Sequence, residues 1–363
     1  MVFTDRVKDI TYNEILPSIV DFVNNSNIFT ARVTSNPKNW KGVTIDQPIR
    51  IANSNTGGSF DGLDQFDTAA TNNTRSMKWY VKAYEQTVVV PGIEKAVNGD
   101  SEKRVLSLVS DRLDEAMISL SDAIGTLLYG YGTGKDIEGL GLIVDDGTAT
   151  SSYGGLSRAD IPALNGDVTA VDGGNLTLDT VSASFDNVSA AGAGREAPTI
   201  AITTKAVWSL FESLLHKNGN LQAKYDATSI SGYNRVSGKT PNGTSVPAQA
   251  LKGAFGVDAI SYRGKPVVAD DKCPDGRFYW LNENYLEFRR LLSSDLKSVA
   301  TKPKVTEGAY SDNSSQVPSF LQLRDFLSPV NQFGEIGALI VMGNLICRQP
   351  RRNAVITGIT AIA

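Results

Sequence analysis

Between Ser101 and Tyr131, apolar side chains recur every three or four positions: Val105, Leu108, Val109, Leu113, Ala116, Met117, Leu120, Ile124, Leu127, Leu128 and Tyr131. Asp111, Arg112, Asp114, Glu115 and Asp122 fill the opposite face, so the period is helical. At about 1.5 Å per residue this helix would run roughly 45 Å, long enough to act as a spine for other elements. Asp100 or Ser101 offers an N-cap, and Gly130, Gly132 and Gly134 mark its end.

The pattern before the spine is different. Residues 36–74 are rich in Asn, Gly, Ser, Thr and Asp, with a strand expected at Val43–Ile51 and an open tip near Gly57, Gly58 and Gly62. Residues 75–90 then gather Trp79, Val81, Tyr84, Thr87, Val88, Val89 and Val90, a strand composition that ends at Pro91-Gly92. The two strands and their tip form a long hairpin. An isolated hairpin of this kind is marginal in water, so stabilisation by a neighbouring copy is expected. In residues 12–35, the apolar cluster Ile15, Leu16, Ile19, Val20, Phe22 and Val23 predicts about two helical turns after Pro17, and the rest reads as an arm.

Behind the spine the signals are shorter. Helices are expected at about 179–190 and 205–216, the second following a buried-type strand at Pro198–Thr203. Residues 218–248 are polar and Gly/Ser/Asn-rich, as in an exposed loop. Strands are expected on either side of Gly264, at Arg277–Leu281, at Ile336–Cys347 and at Ala354–Ile359.

Composition narrows the function. The 363-residue chain is 41% hydrophobic with a net charge of −4, and no basic run is longer than a pair such as Arg351-Arg352, which argues against tight nucleic-acid binding. Cys273 and Cys347 match no zinc spacing and read as two reduced, packed thiols. No apolar run reaches the roughly 18 residues that span a bilayer, so no membrane partner is expected.

Catalytic chemistry is hard to find. The single histidine, His216, sits at the end of an expected helix beside Lys217 and Asn218, and no nucleophile elbow accompanies it. Gly130-Tyr-Gly-Thr-Gly-Lys-Asp136 lacks the first glycine and the Ser or Thr of a phosphate loop, and it follows a helix. The acidic pairs Asp145-Asp146 and Asp270-Asp271 lack calcium-loop spacing and are expected as solvated turns. Lys38, Lys41, Lys78 and Lys82 would either meet carboxylates of a neighbour or keep strand edges from aggregating. We therefore expect no enzyme activity, no cofactor and no metal.

Arm, hairpin, spine helix, mixed α/β section and returning strands follow one another in an order that resembles the major capsid proteins of tailed bacteriophages, the Hong Kong 97-type fold. Three stretches carry the likeness: Gly139–Val144 with Tyr153–Arg158, Tyr262–Asp270 with Cys273–Gly276 and Phe278–Asn282, and Gly343–Asn353. The resemblance implies an α+β fold with an N-terminal arm (1–35), an extended β-hairpin loop (36–92), a peripheral domain with the spine helix (93–137), an axial domain (138–299) and peripheral return strands (300–363).

The resemblance further implies a structural protein of the virion, made in the bacterial host cytoplasm. Its copies would form hexamers and pentamers of an icosahedral head around packaged double-stranded DNA, contacted non-specifically. A separate scaffolding protein, a portal and a decoration protein are the other partners it implies. Trp79, Lys78, Lys82, Phe60, Phe66, Arg351 and Arg352 are the expected inter-subunit contacts. Some members join Lys to Asn between subunits; Lys78 or Lys82 with Asn331 or Asn344 are conceivable partners that no motif identifies. An encapsulin-like compartment is the alternative within the same fold. A tail-tube or adhesin component and a hydrolase using His216 are alternatives from other classes.

Overall fold

The computed structural model describes residues 27–34, 37–53, 56–65, 72–97, 102–190, 194–217, 260–293, 297–298, 321–329 and 333–362. The expected turns at Ile15–Val23, the loop at 218–248, Phe66 and Asn331 lie outside these residues.

Along the chain, helix α1 (Ile28–Thr34) precedes strands β1 (Lys38–Asn39), β2 (Thr44–Arg50), β3 (Thr74–Tyr80) and β4 (Lys82–Pro91). Helices α2 (Gly92–Val97), α3 (Glu102–Leu127) and α4 (Leu140–Ile143) follow. Next come β5 (Ser152–Tyr153), β6 (Leu156–Ser157), β7 (Asp167–Ala170), β8 (Asn175–Leu176), α5 (Leu178–Val188), β9 (Ile200–Thr203) and α6 (Lys205–Lys217). The described chain resumes with β10 (Ile260–Tyr262), β11 (Lys265–Ala269), β12 (Phe278–Leu281), β13 (Leu286–Arg290) and β14 (Lys297–Ser298). It closes with β15 (Leu321–Leu327), β16 (Gly334–Cys347), β17 (Ala354–Thr357) and β18 (Ala361–Ile362).

The spine is α3, and its apolar stripe does what the period predicts: Ala116, Leu120 and Ile124 are buried, with Leu128 just past its end. The chain then turns back sharply across that end. A Cβ on Gly139 would lie about 2.5 Å from the carbonyl oxygen of Leu127, closer than any side chain is tolerated, so only glycine fits there.

Among the described residues there are two six-stranded sheets and three two-stranded ones, β2-β3, β5-β6 and β8-β18. The first runs β1-β13-β16-β15-β14, with β4 also paired to β16. The second runs β10-β11-β9-β12-β17-β7 and mixes parallel with antiparallel pairs. Strand alternation gives this second sheet two buried faces. Ile200, Ile202, Tyr279, Leu281 and Val355 face the main core shared with the spine, while Ala201, Phe278, Trp280, Ala354 and Ile356 face a second core with Phe185 and Phe211 of helices α5 and α6.

Sheet membership does not follow the boundaries expected from sequence. Strand β13, placed before residue 300, pairs with β16 in the first sheet, and β17, placed among the return strands, lies between β12 and β7 in the second. The chain passes between the two sheets three times, from β4 to β7, from β12 to β13 and from β16 to β17.

The acidic pairs are also not plain solvated turns. Asp145 is buried and accepts hydrogen bonds from the N–H of Ala149 (3.2 Å) and of Thr150 (2.8 Å), and from the Thr150 hydroxyl (2.6 Å). Burial opposes its charge, but these bonds, Thr150 foremost, leave its pKa lowered. Asp270 is buried and accepts from the N–H of Phe29 at 2.7 Å and of Lys272 at 2.8 Å, tying α1 to the turn after β11. Only Asp146 and Asp271 remain exposed.

Candidate assembly surface

Strands β2 and β3 pair antiparallel from Thr44↔Tyr80 to Arg50↔Thr74. Ile45, Gln47 and Ile49 share one face with Met77 and Trp79, whereas Asp46, Lys78 and Tyr80 share the other. The first face is docked on the chain's own core. Met77 is 0% exposed and Trp79 1% exposed. The Lys78 N–H donates to the carbonyl of Gly154 at 2.9 Å, and the Trp79 and Tyr153 rings meet edge to face at 6.1 Å. Tyr153 is itself stitched to β16, its hydroxyl donating to the Cys347 carbonyl at 3.0 Å and accepting from the Cys347 N–H at 2.9 Å. Gly154, at φ +56°, brings the turn between β5 and β6 against Met77.

This corrects two expectations. Trp79 is sealed inside its own subunit and presents no side chain to a neighbour. The run from Arg75 to Val90 is two strands, because the chain changes partners at Val81: β3 pairs with β2, and β4 pairs with β16 over ten residues, from Gly334↔Pro91 to Gly343↔Lys82.

Beyond Arg50 and Thr74 the ribbon carries a tip. The Ile51 N–H donates to the Asn73 carbonyl at 2.9 Å, the Asn73 side chain donates to the Asn53 carbonyl at 2.9 Å, and a local turn joins Asp61 and Asp64. On that turn Phe60 is 66% and Leu63 100% exposed. Leu63, which sequence reading passed over, is the more exposed of the two. Both are large apolar side chains held mostly in solvent on an acidic, glycine-rich loop.

The remaining expected contacts fall in different places. Lys78 is exposed on the outer face of the ribbon. Lys82 donates to the Gly134 carbonyl, and Lys38 pairs with Glu287, both within the same subunit. Arg351 is exposed, while Arg352 reaches Glu196 at 2.8 Å and the Val188 carbonyl at 3.2 Å. Asn344 is buried, accepting from the Glu138 N–H (3.0 Å) and donating to the Tyr80 carbonyl (3.2 Å), so it is not offered to another subunit for cross-linking. Burial raises the Glu138 carboxyl above its usual range, against the opposing influence of Asn344 and Lys82.

Among the described residues no group of His, Cys, Asp and Glu is placed to hold a metal ion. Both cysteines are free and buried, and burial pushes the Cys347 thiol up to about 12, far from a reactive thiolate. His216 lies in the last turn of α6. No described helix is long and apolar enough to cross a membrane.

The whole chain aligns with capsid shells. It matches the cyanophage A-1(L) capsid asymmetric unit with a TM-score of 0.65 at 16% identity, covering 99% of this chain and 100% of that one. The chain has the phage capsid fold. The capsid of Myoviridae phage XM1 shares this fold at a TM-score of 0.54 and 12% identity, with 99% of each chain covered. The holo-SrpI encapsulin complex of Synechococcus elongatus PCC 7942 shares it too, at 0.58 and 10% identity over 100% of this chain and 98% of that one. No protein-family model and no curated protein matches the sequence. The α+β capsid architecture expected from the order of elements is the one observed, with the strand reassignments given above.

Proposed function

We propose that this chain is the major capsid subunit of a tailed bacteriophage, a structural protein whose copies close into an icosahedral head of hexamers and pentamers around double-stranded DNA. The observation that carries this reading is the end-to-end alignment with a phage capsid chain, over 99% of this chain and 100% of that one. The tip supports it as well: Phe60 and Leu63 are apolar and largely exposed. In this reading the inter-subunit contacts are Phe60, Leu63 and Lys78, with Phe66 on the same loop. The protein resides in the virion after synthesis in the host cytoplasm, with scaffolding, portal and decoration proteins as partners.

The test is to express the chain, with a candidate scaffolding protein if needed, and look for isometric particles by negative-stain microscopy. Deleting residues 52–72 should leave a soluble, folded subunit and abolish or slow shell closure. Closure at the normal rate would overturn the tip's role.

The encapsulin match supports a second reading, a compartment that stores a cargo protein. Purified particles then hold protein, whereas the capsid reading predicts nuclease-protected DNA.

A further inference from the structure

Although the chain is net negative, its charge is segregated. On β13, Leu286 and Phe288 point into the core and Glu287 and Arg289 point away from it. Glu287 is reached by three cations: Arg289 at 2.7 Å, Arg348 at 2.8 Å, and Lys38 of the two-residue strand β1. The Arg348 N–H donates to the Tyr285 carbonyl at 3.0 Å, and the Tyr285 hydroxyl bonds Glu196. Glu196 is gripped by Arg352 at 2.8 Å and feels the charge of Arg351, while the Arg195 guanidinium lies 5.7 Å from the Tyr285 ring centre.

One connected surface therefore carries six cations on two carboxylates, an excess of four positive charges. It runs across the seam between the two sheets, from β1 and β13 to the 3-10 turn at Pro350–Arg352. The carboxylates of Glu283 and Asp186 do not neutralise it, because they hold Arg32 at 2.7 Å and Arg263 respectively.

We infer that this belt is a surface for the phosphate backbone of double-stranded DNA. Five of its six cations are arginines, whose planar forks suit phosphate oxygens. Lys38, Arg195 and Arg351 are exposed, so their donors reach a ligand without dismantling the belt. Apart from the tyrosine ring under Arg195, no apolar anchor lies among them in the described residues, which fits a backbone read without sequence and not a folded protein partner. An excess of four charges neutralises about four phosphates, so binding is weak and falls roughly tenfold for each doubling of salt. That strength holds DNA against a wall without hindering its entry or exit. The inference rests on the DNA-enclosing reading above.

The experiment measures binding of a fluorescent 30-base-pair mixed-sequence duplex to the full chain by anisotropy across a salt series. Poly-glutamate serves as competitor. The triple variant Arg195→Gln/Arg348→Gln/Arg351→Gln should weaken binding at least tenfold and flatten the salt slope by about three. Arg351→Gln alone, at an exposed site that carries no packing, should flatten it by about one, and Arg75→Gln on the ribbon should change nothing. Unchanged duplex binding in both belt variants, absent duplex binding by the native chain, or equal competition by poly-glutamate per charge would each overturn the inference. Because particle formation is scored separately by microscopy, shells that form from a chain failing this test would sink the belt alone. Absence of shells would sink the capsid reading.

Discussion

The root and the tip of the β2–β3 ribbon are continuous in sequence but opposite in physics. At the root, Met77 and Trp79 are closed over by the β5–β6 turn and by Tyr153, and Lys38 at the entry to the excursion is held by Glu287. At the tip, Phe60 is 66% and Leu63 100% exposed, on a turn that joins Asp61 and Asp64. The expectation that the whole ribbon leans on a neighbour is therefore too broad. The subunit anchors the root of the ribbon itself, and in the proposed capsid reading the tip is what meets a neighbour. A projecting element thus needs a rigid mount before it can serve as a contact, and the mount is written in aromatic side chains.

The strongest way to break this contrast is Trp79→Ala. Emptying a site this buried should cost about 3–5 kcal/mol in denaturant unfolding of the subunit. A loss below 1 kcal/mol would mean that the root is not anchored as described.

Next is pH. Burial opposes the charge of Glu287, yet Lys38, Arg348 and Arg289 bring its pKa down to about 2. A depressed carboxylate pKa gives stability that is present above the unfolded value of about 4.3 and lost as pH falls through that range toward 2. Glu287→Gln should remove about 2 kcal/mol at pH 7 and flatten the acid limb of the stability curve. Glu138 at the foot of β4 has the opposite sign. Its raised pKa gives stability that is lost as pH rises above the ordinary carboxyl range, so Glu138→Gln should stabilise the neutral-pH protein slightly and remove that slope.

Gly154→Ala sharpens the same boundary. Its φ of +56° and a Cβ only 2.9 Å from that of Met77 predict a loss of about 1–2 kcal/mol, felt at the root alone. The smallest stability effect belongs to the tip. Phe60→Ser with Leu63→Ser should change unfolding by less than about 0.5 kcal/mol. The same pair should sharply reduce particle yield in assembly assays, and normal yield would erase the functional half of the contrast.

Much of this architecture is legible in the sequence where the period is strong. The spine stripe, the β9–α6 alternation, the turn at Gly264 and the apolar run of β16 all announce themselves. The break at Val81 shows as a change of phase: buried positions are odd in β3 (Met77, Trp79) and even in β4 (Val88, Val90), which takes either a bulge or a new partner. Strand β13 was passed over because its alternation, Leu286-Glu-Phe-Arg-Arg290, is diluted by charge. Helix α1 spans two turns and depends on Asp270, 241 positions away, to satisfy the Phe29 N–H. The basic belt is legible only in fragments, the pairs Arg289-Arg290 and Arg351-Arg352, since Lys38, Arg195 and Arg348 come from distant stretches and meet them only once both sheets have formed.

The ten-residue ladder between β4 and β16 has a mechanical meaning. Only Val81 separates β3 from β4, so tension applied at the far end of the ribbon arrives along the strand axis. The ladder then resists as a lap joint, with its rungs loaded together in shear instead of peeling apart one by one. A wall built from such joints would carry outward pressure through its backbones.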